Sequence, residues 1–195
     1  MRGQPAEACD AVADLAARMR SDDPGGVVGL DLAGDELHFN NSEYVACFRR
    51  AKERGLRTTV HAGECFGNLC DATAGSAPDV RSAVEEMGVD RIGHGYAGVL
   101  DPGALAVLKA RRVHLEACPG SAKTEGHLEL IGALRDAGLN FGLNEDDPGP
   151  GFGKCTMAAI EDLVTRRLGF TASDVAAAHA RALAAAFGPV EPLVV

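Results

Sequence analysis

Val27-Val28-Gly29-Leu30-Asp31-Leu32, and further along Arg57-Thr58-Thr59-Val60-His61, are short runs in which apolar and β-branched residues follow one another with little alternation. Such runs suit strands buried on both faces of a parallel sheet. Between them, Ser42 to Arg54 reads as a helix opened by a Ser cap. The same rhythm continues downstream. A helix over Asp79–Met87 precedes a strand at Arg91-Ile92-Gly93-His94, one over Pro102–Arg111 precedes Val113-His114-Leu115-Glu116, and one over Leu128–Ala137 precedes Leu139–Leu143. Upstream, residues 5–20 space alanine, valine and leucine along one helical face until SDDPGG stops it. Residues 155–168 and 172–186 finish the pattern as helices, the second capped by Thr171 or Ser173. Five strands alternating with helices predict an α/β fold with a parallel sheet, either doubly wound or of (β/α) TIM-barrel type.

The placement of polar residues decides between these. Asp31, His61 with Glu64, His94, Glu116 and the pair Asp146-Asp147 all fall at or just beyond the C-terminal end of a predicted strand. In a barrel those ends converge on one mouth, where active sites are built from several loops. No GxGxxG and no GxxxxGKS/T phosphate loop is present, so a nucleotide-binding doubly wound sheet loses its main support. A closed barrel normally takes about 250 residues. With 195 residues and five strands, the expectation is one domain over residues 1–195, an incomplete barrel of about five of the usual eight βα units.

Composition narrows the function. The chain carries 19 basic and 28 acidic residues, a formal charge of -9, so no basic field draws in nucleic acid phosphates. The apolar runs fall far short of the roughly 20 residues of a membrane span. The opening MRGQPAEACDAVADLAARMR alternates charges with alanines and has no apolar core of signal-peptide type. The expectation is therefore a cytoplasmic protein with a small-molecule partner, not nucleic acid or membrane. Cys9, Cys47, Cys65, Cys70, Cys118 and Cys155 form no CxxC pair and read as reduced thiols.

On residue chemistry alone, His61, His94 and the Asp146-Asp147 pair are a plausible divalent-metal set, since imidazole nitrogen and carboxylate oxygen suit zinc and related ions. Glu64 shares a loop with His61 and is placed to move a proton. His38, His114, His127 and His179 lack such company and read as surface or core groups. Glu116 reads equally as an orienting group or as a member of a buried network.

DLAGDE (31–36), HAGE (61–64), RIGHGY (91–96), LEACPGS (115–121) and NEDDP (144–148), in that order and spacing, resemble the adenosine deaminase family, as does the closing GFTASDVAAAHARALAAAF. The resemblance implies a zinc-dependent hydrolase of purine metabolism that converts adenosine or deoxyadenosine to inosine and ammonia. It makes His61 and Asp146 metal ligands and Glu64 the catalytic group that protonates purine N1. It also makes His94 the catalytic group that orients and helps deprotonate the attacking water. Asp147 becomes a catalytic and substrate-binding group at purine N7, and Gly34 a substrate-binding position whose backbone N–H meets purine N3. The combined HxE…PCxxC signature of cytidine-type deaminases is absent, since no PCxxC occurs.

The family's HxH motif is also absent, so two zinc ligands and the first three βα units of the pattern are missing from this chain. Two ligands are fewer than the three a catalytic zinc normally takes from protein, and the expectation is an incomplete site, with the isolated chain inactive unless complemented. Open sheet edges predict self-association or a complementing N-terminal segment. Glu145 adds a third carboxylate beside the Asp pair, and Ala122 stands where the family places a polar residue. The segment from Cys65 to Pro78 reads as a long loop near the mouth. Two other readings stay open: a non-catalytic purine-binding or oligomerisation remnant, and a related deaminase acting on adenine or another amine.

Overall fold

A computed structural model describes residues 2–36, 38–64, 77–121, 125–146 and 156–188. Its elements in chain order are α1 (Ala6–Asp22), β1 (Gly29–Leu32), α2 (Val45–Glu53), β2 (Arg57–Ala62), α3 (Ala77–Ser82), β3 (Arg91–His94), α4 (Pro102–Arg111), β4 (His114–Ala117), α5 (Glu125–Asp136), β5 (Phe141–Leu143), α6 (Met157–Leu168) and α7 (Ala172–Ala184). Each of the five expected strands forms within a residue or two of its predicted run. All neighbours are parallel and the order is β1-β2-β3-β4-β5. A doubly wound sheet reverses its order at a switch point, whereas a barrel adds strands in sequence. The sequential order therefore identifies an incomplete barrel.

Register sorts the side chains into two faces. Leu30, Leu32, Val60, Ala62, Ile92, Leu115, Ala117, Phe141 and Leu143 are buried in one core with helix residues such as Phe48, Leu108, Ile131 and Ile160. The other face carries two polar rows read directly from the pairing. One runs Asp31, Thr59, Arg91, His114, and the next runs His61, Gly93, Glu116, Gly142. Glycine makes room in the second row. A Cβ on Gly93 would come 2.9 Å from the His61 ring, and one on Gly142 would come 2.7 Å from Ala182 of α7.

Local chemistry explains most helix boundaries. Asp101 caps α4 by accepting from the Ala104 N–H, with Pro102 opening the first turn. Thr171, not Ser173, caps α7 through a reciprocal capping box with Asp174. Two boundaries differ from expectation. Asn40 accepts from the Ser42 N–H, so the chain makes a short 3-10 turn (Asn41–Tyr44) before α2 and Ser42 is not the cap. The helix expected over 79–87 begins at Ala77 and ends as a π turn over Ala83–Met87, closed by left-handed Gly88.

The cysteine expectation needs correction. Packing of α1 on α2 brings the Cα atoms of Cys9 and Cys47 to 6.1 Å, and the two form a disulfide across 38 residues of chain. Arg50–Asp10 and Arg54–Asp14 ion pairs tie the same two helices. Cys118 is buried. Cys65, Cys70 and Cys155 lie outside the described residues. No helix among the described residues is long and apolar enough to cross a membrane.

Candidate active site

The strand ends that should form a barrel mouth are built from tight left-handed corners. β2 runs through His61 and Ala62 into Gly63, whose φ is +79°. A Cβ there would lie 2.6 Å from Val80 Cγ2 and 3.2 Å from the Ala97 nitrogen, so the corner admits only glycine. β3 ends with two successive left-handed residues, His94 (φ +66°) and Gly95 (φ +75°). His94 is a non-glycine residue in a sparsely populated region, a conformation that concentrates at functional sites. The two corners interlock, since Ala62 O accepts from the Gly95 N–H and Gly63 O accepts from the Ala97 N–H.

These corners bring distant side chains together. The His61 and His94 rings lie 4.9 Å apart, nearly perpendicular, and Glu64 Oε2 lies 3.6 Å from His94 Nε2. His94 is only 2% exposed. Its other nitrogen, Nδ1, lies 3.4 Å from the Tyr96 hydroxyl, which also accepts the Cys118 N–H at 2.7 Å. Burial holds the Tyr96 phenol well above its usual value, so it keeps its proton and can donate to Nδ1.

Among the described residues two groups of metal-type donors result, each with its ligand atoms within 4.8 Å of one another: His61, Glu64 and His94, and then His94, Cys118 and Asp146. They share His94, while His61 and Asp146 fall in separate groups. Imidazole nitrogen, carboxylate oxygen and thiolate sulfur are the donors zinc accepts, so the residues present fit a zinc-type ion.

The remaining candidates fall elsewhere. Asp147 lies outside the described residues, as do Ala122 and most of the loop after HAGE. Gly34 turns the chain at φ +114°, in the loop between β1 and Glu36. Beside it, Asp35 pairs with His38 at 2.7 Å on the surface. Asp31 stands on the polar face of β1 but in neither donor group. Glu116 belongs to a structural network, with Oε1 2.8 Å from Arg91 Nε and Oε2 3.5 Å from Thr59 Oγ1. Burial pushes its carboxyl above the usual range, with Arg91 opposing. His114 is buried on Asn140, His127 is buried beside the Tyr96 ring, and His179 pairs with Glu161.

Three residues inside the quoted motifs acquire roles that spacing did not signal. Tyr96 and Cys118 meet His94 as above. Glu36, 6% exposed, accepts both the Gly63 and the Glu64 N–H, at 2.7 and 2.8 Å. A fourth, Arg2, is 5% exposed and donates to the His61 carbonyl at 2.5 Å and to Asn41 Oδ1 at 2.7 Å. The only sequence sign of Glu36 and Arg2 is a charge beside a run that must be buried.

Comparison with known proteins gives the family of the chain and relatives of its fold. A family model described as adenosine deaminase matches residues 1–192. An adenosine deaminase of Shewanella loihica is 36% identical over 128 residues, covering 63% of this chain and 36% of that protein. An adenosine deaminase of Gallus gallus is 35% identical over 128 residues, covering 63% of this chain and 33% of that protein. The chain thus spans about a third of the length of the curated relatives it matches. Among solved structures, an adenine deaminase of Arthrobacter aurescens superposes with a TM-score of 0.77 at 24% identity, over 96% of this chain and 54% of that one. A zinc-bound amidohydrolase of Burkholderia ambifaria superposes at 0.79 and 23% identity, over 95% of this chain and 50% of that one. An N6-methyl-AMP deaminase of Arabidopsis thaliana superposes at 0.73 and 26% identity, over 96% of this chain and 52% of that one.

Proposed function

Because this chain belongs to the adenosine deaminase family, we propose that its residues 1–195 are one partial-barrel domain of a zinc-dependent hydrolase that deaminates adenosine and deoxyadenosine. The products are inosine or deoxyinosine and ammonia. The observation that carries this reading is the convergence of His61, Glu64 and His94, with Asp146 in the adjoining donor group through His94. His61 and Asp146 hold the metal, with further ligands from a complementing N-terminal segment. When bound, the ion lowers the pKa of water from 15.7 to about 7 and so supplies hydroxide at neutral pH.

The chain's own residues handle the purine and its protons. Glu64 donates to N1, withdrawing electron density so that C6 accepts attack. His94 orients the attacking water and takes up its proton on an unprotonated ring nitrogen. Asp147, in its protonated form, donates to N7, and the Gly34 N–H donates to N3. The tetrahedral carbon then expels ammonia. The residues of DLAGDE and HAGE support adenosine, while the adenine and N6-methyl-AMP deaminases among the structural neighbours keep those substrates as the second reading. We place the protein in the cytoplasm, where the Cys9–Cys47 pair would meet a reducing thiol pool.

The test is deamination of adenosine, adenine and N6-methyl-AMP by the purified chain, followed by ultraviolet absorbance with and without added zinc. Zinc-dependent turnover of adenosine supports the assignment. Turnover of adenine or N6-methyl-AMP alone selects the second reading. No turnover and no retained zinc leaves this chain as a purine-binding remnant or a part that needs its N-terminal complement.

A further inference from the structure

The HAGE corner is gripped from both sides by charged residues far away in sequence. Gly63 in its left-handed conformation turns two successive backbone N–H groups, its own and that of Glu64, toward one point. Successive N–H groups arranged this way form a concavity that binds anions. Here the anion is internal. Glu36 places one carboxylate oxygen on each N–H, Oε2 on Gly63 at 2.7 Å and Oε1 on Glu64 at 2.8 Å. On the opposite side of the corner, the Arg2 guanidinium donates to the carbonyl of His61. Glu36 is nearly buried, and hydrogen bonds to a charged acceptor are about twice as strong as neutral ones.

We infer that Glu36 is a positioning residue for Glu64, tying the loop that carries Gly34 to the loop that carries the proton donor. This rests on the reading of Glu64 given above. Two bonds to adjacent amides fix both the position and the rotation of the Glu64 backbone, and with them the direction in which its side chain reaches His94, 3.6 Å away. Gly34 lies two residues before Glu36, so purine docking and proton donation share one rigid frame. A glutamine at position 36 keeps the shape but has only one acceptor oxygen, and its NH2 group would point at an N–H. An aspartate keeps both acceptors on a shorter arm.

Two amide-proton measurements and one kinetic measurement test this. In the wild-type chain the Gly63 and Glu64 amides should exchange slowly with solvent, and a nuclear Overhauser contact should link the Glu64 side chain to the His94 ring. In Glu36→Gln those two amides should exchange faster and the contact should vanish, while β4 and β5 amides keep their protection. With zinc and adenosine, kcat should fall by about 100-fold, the scale of a misplacement near 1 Å, with KM little changed. Glu36→Asp should recover part of each loss. Wild-type Gly63 and Glu64 amides that exchange like exposed loop amides would overturn the inference, as would a folded Glu36→Gln that keeps the contact and its kcat. If the wild-type chain does not deaminate adenosine, the functional reading fails by itself, and exchange and Overhauser data still decide the role of Glu36. If Glu36→Gln does not fold, the wild-type data and Glu36→Asp decide it.

Discussion

The two ends of the sheet use charge in opposite ways. At the N-terminal ends of the strands, charges are matched among themselves. Arg57 pairs with Asp90 at 2.8 Å, Arg91 reaches along the sheet to Glu116, in the register row of His61, at 2.8 Å, and both guanidinium groups lie over the Phe187 ring, at 4.9 and 3.7 Å. At the C-terminal ends, imidazoles, carboxylates and a thiol are gathered with their donor atoms facing one another. An arrangement of the first kind spends its charge on holding strands together. One of the second kind attracts a cation or a polar ligand from outside, at a cost in backbone strain visible at His94. The difference separates a structural end from a chemical end without reference to any relative.

If that division is real, substitutions at the two ends should fail in different ways. The largest effect should come from Glu64→Gln, which removes the proton donor. Deamination should fall by about 100-fold or more, while circular dichroism and zinc retention stay at wild-type levels. Zinc lost together with activity would mean that Glu64 is itself a ligand, as its grouping with His61 and His94 allows. Away from both ends, reduction of Cys9–Cys47 should lower stability by about 4 kcal/mol, the chain-entropy value for a loop of 38 residues. Urea unfolding with and without reductant checks this.

Gly63→Ala sits at the chemical end yet should cost stability as well, about 3 kcal/mol, because it combines a left-handed corner with a collision against Val80. At the structural end, Arg91→Met leaves Glu116 without its cation. The cost should be about 2 kcal/mol, between the limits for exposed and buried pairs, with zinc affinity unchanged. A loss of zinc affinity in that variant would mean the two ends are coupled.

The smallest effect is a pH slope. Burial holds the His114 imidazole below its usual value, with the hydrogen bond to Asn140 opposing. The neutral ring is therefore favoured in the folded chain, so its contribution is present above the ordinary histidine range and is lost as pH falls through the lowered folded value. His114→Asn should flatten unfolding free energy against pH in that acidic window by at most about 1.4 kcal/mol per pH unit.

Much of this architecture is legible in the sequence because its signals are local. The runs Val27 to Leu32 and Leu139 to Leu143 point to strands because each is a short apolar stretch between helical segments, and Gly29–Leu32 and Phe141–Leu143 form them. Thr171 followed by Asp174 is a capping box wherever it occurs. The polar residues at strand ends mark the mouth for the same reason. What escapes such reading is what packing creates. Cys9 and Cys47 become partners only after α1 lies on α2. Glu116 reads equally as an orienting or a network residue until Arg91, one strand away in the register, takes its carboxylate. Glu36 gives no local hint that it meets amides 27 and 28 residues later, because that pairing depends on the φ of Gly63.

The order of the sheet also bears on how the chain is made. Every strand pairs with the one before it, so the sheet can grow in the direction of synthesis, each strand docking on a partner already translated. At about 5 to 20 residues per second, successive strands arrive seconds apart and none must wait for a distant mate. The last segment breaks that pattern. α7 packs on β5 through Ala182, and Phe187 beyond it reaches back to Gly29 at the start of β1. The segment through Phe187 therefore links the first and last strands of this sheet, and a chain cut before Phe187 would keep all five strands while losing that link.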